Sequence, residues 1–447
     1  MKFIAPELPE MGPRYPDWIL LATRAYISDR KNATVAHSHT SDGHPIQVSL
    51  FAATPPAVSH LCVHSPGREE QFSYNPAVIS REDLILFDVC FGNGDVSDYF
   101  IYKAGSETPS LVRIPDPEPY ISGFRNTGIV CCGADHFAVA ALVRENMDMF
   151  KLAVFDSKTG VWETRLLPLE PLEPLGSRCS HLDSARLLPL ELLEPLGSRC
   201  SPLEVPFFSS KVIPLKGSLL GWVDLWWGIL VCDVLSDNPK LHYIPMPKPM
   251  PSNEGFQDEG EPSYFRDVTG CEDMITFVEM EYDYHYIPVT DPSCYSPDGW
   301  TAVIGSRRLD SREWIRNHVV NIENITVSED CHGSTDLLPQ FCENGTPSLK
   351  KMPIGTPTLG DCNNVLYLMS KVKFGDTKGW VVAVDINSKR LEAVSTFSAA
   401  SLPGFSTAYY PSSFSKYFNK NSTELELNAQ TADCQASTDT EDSSVDE

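Results

Sequence analysis

Long apolar runs are missing from this sequence. None of its 447 residues sits in a charge-free apolar window approaching the roughly 18 residues of a membrane-spanning helix, so no membrane partner is expected. The opening stretch, MKFIAPELPEMGPRYP, mixes acids and prolines and lacks the apolar core of a secretory signal. The 13 cysteines are odd in number and contain no C-x-x-C; Cys131 and Cys132 are the only close pair. Free thiols in a reducing compartment follow, which places the protein in the cytoplasm or nucleus. The sequons at Asn32, Asn324, Asn344 and Asn421 then read as chance matches.

Positive charge is also scarce. Lys and Arg number 35 against 60 Asp and Glu, a net charge of −25. Such a chain repels phosphate backbones, which argues against a nucleic-acid partner. The surplus serves solubility, or forms an acidic docking surface for a basic partner.

Catalytic signatures are absent as well. There is no G-x-S-x-G, since Gly217, Ser218 and Gly221 have the wrong spacing. No G-x-G-x-x-G or phosphate-binding G-x-x-x-x-G-K-[ST] occurs, and no cofactor is expected. Gly92-Asn93-Gly94-Asp95 reads as a hairpin turn that needs positive φ.

What is present is strand grammar. The 36 prolines are spread along the chain and work against long helices. Short runs such as DLILFDVCF (83–91), FAVAALV (137–143), GILVCDV (228–234) and VLYLMS (365–370) end at Gly, Asp, Asn, Ser or Pro. Four similar phrases overlay them: FIYKAGSETPSLVRIP (100–115), AVFDSKTGVWETRLLP (153–168), LVCDVLSDNPKLHYIP (230–245) and VVAVDINSKRLEAVST (381–396). Each describes a hairpin whose second strand leaves toward the next unit. Such sheets repeated about an axis make a β-propeller. The expected fold is all-β and β-propeller-like, with a pair of β-sandwiches as the alternative. Uneven spacing between the phrases leaves the blade number illegible.

The β domain is expected to span 17–418, after a leader at 1–16. Residues 420–447 hold eight acids, one lysine and no aromatic residue, so a disordered acidic tail is expected from 419 onward. Ser443 and Ser444 in that tail resemble an acidophilic kinase site. Inside the domain, RLLPLEPLEPLGSRCS (165–180) returns as RLLPLELLEPLGSRCS (186–201), identical at 15 of 16 positions. A 21-residue period is too short for a blade. Residues 163–204 are therefore expected to form a duplicated Pro/Leu-rich surface loop. Loop length costs only about 0.6 kcal/mol per doubling, so such an insertion persists without needing a use.

Two clusters invite a chemical reading. His37, His39 and His44, with His60, Cys62 and His64, place borderline metal ligands close together, and alternate residues of a strand share a face. A fourth ligand at standard spacing is lacking, so no metal is expected. Glu279, Glu281 and Asp283 alternate on another strand, with Tyr282 and Tyr284 among them. They read as a solvated strand face; paired carboxylates serving glycoside chemistry are the alternative. No catalytic, cofactor-binding or metal residue is assigned.

Several blocks resemble a known family. DWILL (17–21), RAYI (24–27), HPIQVSLFAATPPAVSHLCVH (44–64), the segments 212–251 and 266–281, the segment 366–399, and YYPSSFSKYFN (409–419) are similar, in order, to a cereal-expanded plant family known as domain of unknown function 1618. The resemblance implies an intracellular protein without assigned catalytic residues. It also implies a likeness to the propeller-like domains attached to F-box proteins, although the F-box helices are missing. The duplicated segment departs from the family pattern. The expected function is a non-catalytic protein-interaction domain, a monomer with an unidentified protein partner. The alternatives are a hydrolase acting on a carbohydrate or other small substrate, and a degenerate member without activity.

Overall fold

A computed structural model describes residues 8, 14–92, 97–105, 108–116, 124–133, 135–146, 148–169, 192–193, 207–257, 261–284, 297–327, 342–343, 346–347, 354–360, 364–371, 376, 378–398 and 407–419. Strands dominate them, and their helices are short 3-10 turns. No helix is long and apolar enough to cross a membrane.

Six sheets form a six-bladed β-propeller, with one further two-stranded ribbon beside them. Blade 2 runs Val78–Arg81, Leu84–Cys90, Ser97–Lys103, Ser110–Ile114, each strand antiparallel to the last. Blade 3 repeats the pattern from Thr127–Cys131 to Val161–Pro168, and blade 4 from Lys211–Pro214 to His242–Pro245. Blade 5 runs from Arg266–Cys271 to Trp314–Asn321, and blade 6 from Ile354–Leu359 to Arg390–Ser398. Blade 1 is composite: Tyr409–Ser412 pairs with Ile19–Ala22, which pairs in parallel with Val58–His64, followed by Pro45–Phe51 and Ala36–His39.

The first strand of blades 2 to 6 is the innermost, and each packs against the next. Tyr409–Ser412 completes the ring. Its Tyr410 hydroxyl donates to Val78 O (3.2 Å), and Ser80 Oγ donates to Ser412 Oγ (2.8 Å). Closure extends past the expected domain limits. Tyr15 N donates to Asn419 Oδ1 (3.1 Å), and Asn419 Nδ2 returns a bond to Tyr15 O (2.8 Å).

The core is divided as the blades are. Six hydrophobic clusters fill the six seams, from blades 1 and 2 around to blades 6 and 1. This explains why the central strands read as unbroken apolar runs: both faces are covered by neighbouring blades. Leu84–Cys90 and Val365–Ser370 bury every residue. An outer strand such as Val161–Pro168 is mostly exposed, because nothing lies beyond it. Trp222 marks the seam of blades 3 and 4; it is 0% exposed and its Nε1 donates to Asn126 O at 2.7 Å. Burying a ring of that size contributes up to about 5 kcal/mol.

The four repeated phrases are the hairpins joining third and fourth strands in blades 2, 3, 4 and 6. Gly92 supplies the expected left-handed turn residue, at φ +69°. The duplicated segment begins differently from the expected loop. Residues 163–168 belong to the outer strand of blade 3, paired with Met149–Asp156, and Leu167 and Leu169 are buried in the blade 3–4 seam. The strand continues because its partner does, and the apolar pair anchors it. In the second copy, Leu192–Leu193 pairs with Trp314 and Ile315 on the edge of blade 5. Leu192 replaces Pro171 of the first copy, the single difference between the two. Proline lacks the N–H that a ladder position can use, whereas Leu192 stands in a strand. The remaining duplicated residues, the acidic segment 420–447 and Ser443 and Ser444 lie outside the described residues.

Candidate functional site

The residues singled out from sequence go to separate places. His37 and His39 are exposed on the edge strand of blade 1. His60 is buried and packs edge-on against Tyr26, with ring centroids 4.8 Å apart. Burial pushes its imidazole down to about 3, which keeps it neutral. Cys62 is buried beside Tyr26, and burial raises its thiol to about 12. His64 Nε2 lies 2.7 Å from Glu69 Oε1. Among the described residues no group of three His, Cys, Asp or Glu converges as a metal site. The described cysteines Cys62, Cys90, Cys131, Cys132, Cys232 and Cys271 are free thiols.

The carboxylate strand needs a correction. Glu279 is 1% exposed, not on a solvated face. It is opposite Arg266 in register and forms a 2.7 Å ion pair with it. Its other oxygen accepts from Met250 N (2.9 Å) and Asn253 Nδ2 (2.7 Å). Glu281, half-buried, accepts from Ser252 N (3.2 Å), and Asp283 is exposed. The strand therefore passes from core to solvent along its length. The 3-10 turn Pro251–Phe256 lies across it and consumes the inner carboxylates. With its oxygens held in this way, Glu279 has no free path to a glycosidic bond.

A different place has the makings of a site. At the face where the innermost strands begin, here the leading face, a cavity of about 550 Å³ opens between blades 1 to 4. Its polar lining is Arg24, Arg125, Arg144, Tyr74, Asp88, Asn126 and Ser209. Arg24 follows the first strand of blade 1 and bridges to Ala77 at the start of blade 2. Its Nη1 donates to Asn75 O (3.1 Å), with the guanidinium 5.9 Å from the Tyr74 ring centre. The Tyr74 hydroxyl donates to Asp88 Oδ2 (2.8 Å), and Ala77 N donates to Oδ1 (2.6 Å). Asp88 is buried, which raises its carboxyl above the usual range; those two bonds and the charge of Arg24 oppose the rise. Arg125 lies exposed in the turn Phe124–Asn126 that enters blade 3. Arg144 ends the second strand of blade 3, with Nε donating to Asn146 O (3.1 Å) and its guanidinium 6.0 Å from the Phe150 ring.

The apolar wall is aromatic, from Phe124, Phe150, Phe207 and Phe208. Phe208 is 74% exposed. Its N–H donates to Asp224 Oδ2 (2.9 Å), while Asp224 Oδ1 also accepts from Trp226 N and Trp227 N. Burial pushes Asp224 up to about 6 against those three donors. The backbone that carries the exposed Phe208 ring is thereby fixed at the rim. The described lining residues include no His, Cys or Lys. The arrangement can hold an anion with an apolar neighbour; Ser209 Oγ, also in the lining, donates to Lys211 O (3.2 Å).

Sequence reading did not single out these residues. Arg125 and Arg144 come from one blade, and Arg24, far earlier in the chain, lines the same cavity because the leading ends of blades 1 and 3 open onto it. The available signal was arginine at the ends of blade strands in a chain short of cations.

Comparisons with solved structures give low overall similarity. A structure from a study of two prolyl endopeptidases is 10% identical with a TM-score of 0.29, covering 74% of this chain and 45% of that one. A member of the duf4221 family from Bacteroides vulgatus is 10% identical with a TM-score of 0.32, covering 82% and 88%. A protein from Lactobacillus plantarum is 10% identical with a TM-score of 0.30, covering 88% and 98%. No curated protein matches the sequence. Residues 222–367, from Trp222 in blade 4 to Tyr367 in blade 6, match the family described as Protein of unknown function (DUF1618).

Proposed function

We propose that this chain is a non-catalytic interaction domain that seats a protein partner at its leading face. The observation that carries this reading is the inverted charge of the cavity. Acids outnumber bases 60 to 35 over the chain, yet three arginines and one carboxylate line the cavity. Cations gathered in one cavity complement an anionic group of a partner locally, against the repulsion of the overall charge of −25. The exposed Phe208 supplies the kind of aromatic anchor that dominates binding energy at interfaces. The lining hydroxyls are engaged within the protein, Tyr74 with Asp88 and Ser209 Oγ with Lys211 O, which favours binding over catalysis. The free thiols fit an intracellular setting.

The test is affinity capture from native tissue with the tagged chain, compared with Arg125→Glu and Phe208→Asp. Both residues are exposed, so both variants are expected to fold. A partner held by the parent chain and lost from both variants supports the reading. Equal capture by all three removes it.

A further inference from the structure

The cavity has more positive charge than one carboxylate ligand uses. A carboxylate offers two oxygens and one charge, which a single bidentate arginine satisfies. Arg24, Arg125 and Arg144 line one cavity. The one carboxylate among them, Asp88, is already engaged by the Tyr74 hydroxyl and the Ala77 N–H. A phosphomonoester carries close to two charges and three strong acceptor oxygens. It matches three guanidinium forks better than an aspartate or glutamate does.

The dimensions and the apolar wall narrow the ligand further. About 550 Å³ lies within the range of sites that enclose a small ligand or a few side chains. Phe207 and Phe208 precede the first strand of blade 4, and Asp224 fixes the Phe208 backbone with a 2.9 Å bond. An apolar residue next to the charged group would find a preformed aromatic surface there. Inorganic phosphate alone would leave that surface unused.

We propose that the leading-face cavity takes a phosphorylated side chain of a partner polypeptide, with Arg24, Arg125 and Arg144 around the phosphate and Phe207 and Phe208 against its apolar neighbours. This rests on the interaction reading above and names the chemistry of that partner. Arg24 and Arg144 are oriented by their bonds to the Asn75 and Asn146 carbonyls, so two of the three cations are held in place before binding.

Fluorescence anisotropy on the full chain tests it, using short degenerate peptide pools centred on phosphotyrosine, phosphoserine, tyrosine or glutamate. At least one phosphorylated pool is expected to bind about tenfold or more tighter than the tyrosine and glutamate pools. Arg125→Glu and Arg144→Gln should each remove that preference, and added salt should weaken it. Circular dichroism of both variants checks that they are folded. Equal binding of phosphorylated and glutamate pools overturns the proposal, as does a preference that survives both substitutions. Displacement of the bound pool by an unphosphorylated 420–447 peptide at equal concentration also overturns it, by assigning the cavity to the acidic segment of the chain itself. The capture experiment separates the two readings. Arg125→Glu losing the cellular partner while the pools show no phosphate preference rejects only the phosphate. Capture unchanged by Arg125→Glu rejects the leading face as the seat altogether.

Discussion

Arg266 and Glu279 face each other in register on the two innermost strands of blade 5 and form a 2.7 Å ion pair with no solvent exposure to speak of. The pair also joins blades. Arg266 Nη1 donates to Leu225 O (3.1 Å) and Nη2 to Pro247 O (3.2 Å), both in blade 4 or its exit. The guanidinium also lies 5.0 Å from the Trp226 ring centre and 5.3 Å from that of Phe277. A carboxylate that looks catalytic in the sequence is thus part of the blade 4–5 joint.

Removing one member of this pair leaves a buried charge alone. Glu279→Leu or Arg266→Met is expected to cost about 3–5 kcal/mol in urea unfolding. The double substitution should cost less than the sum of the two, because no uncompensated charge remains. Single substitutions within about 0.5 kcal/mol of the parent would contradict the joint.

Trp222 fills the seam between blades 3 and 4. Trp222→Ala is expected to lower stability by about 3–5 kcal/mol, through the cavity it leaves and the lost bond to Asn126 O. Trp222→Phe should cost less. Thermal unfolding monitored by circular dichroism reads both.

His60 makes stability depend on pH. Its folded value, about 3, lies below the ordinary value of 6.5, so the unfolded chain binds a proton that the folded chain refuses. The stability it contributes is complete above pH 6.5 and falls as the pH drops toward 3. Between pH 7 and 5 the loss is about 2 kcal/mol from this group. His60→Phe should flatten that part of the profile in parallel urea titrations.

The duplicated insert should be removable only beyond the blade 3 strand. Deleting 170–190 is expected to change the melting temperature by no more than about 2 °C, since loop length is cheap. Extending the deletion to Leu167 and Leu169 removes two buried side chains of the seam. That version should fall by several degrees, about 2–5 kcal/mol per lost leucine.

The strands and their repeat were legible because central strands covered on both faces must be apolar throughout. All four phrases read from the sequence are third-to-fourth-strand hairpins of blades. The blade number was hidden for two reasons. The corresponding turn of blade 5, SRRLDSREWI (306–315), is so charged that it does not read as strand, although Arg307 is buried. Blade 1 draws strands from both ends of the chain, so no contiguous phrase encodes it. Glu279 misled because alternation predicts one wet face, and the inner half of this strand has none. The arginine cavity was illegible because its residues share no local pattern; Arg24 reaches the cavity of Arg125 and Arg144 through the packing of blades 1 to 3.

The most direct test of the leading face as a binding seat is quantitative affinity capture from native tissue with the parent chain, Arg125→Glu and Phe208→Asp side by side. A partner recovered with the parent chain and lost from both folded variants is the predicted result. A partner recovered equally with all three would contradict the account and move the search to another surface.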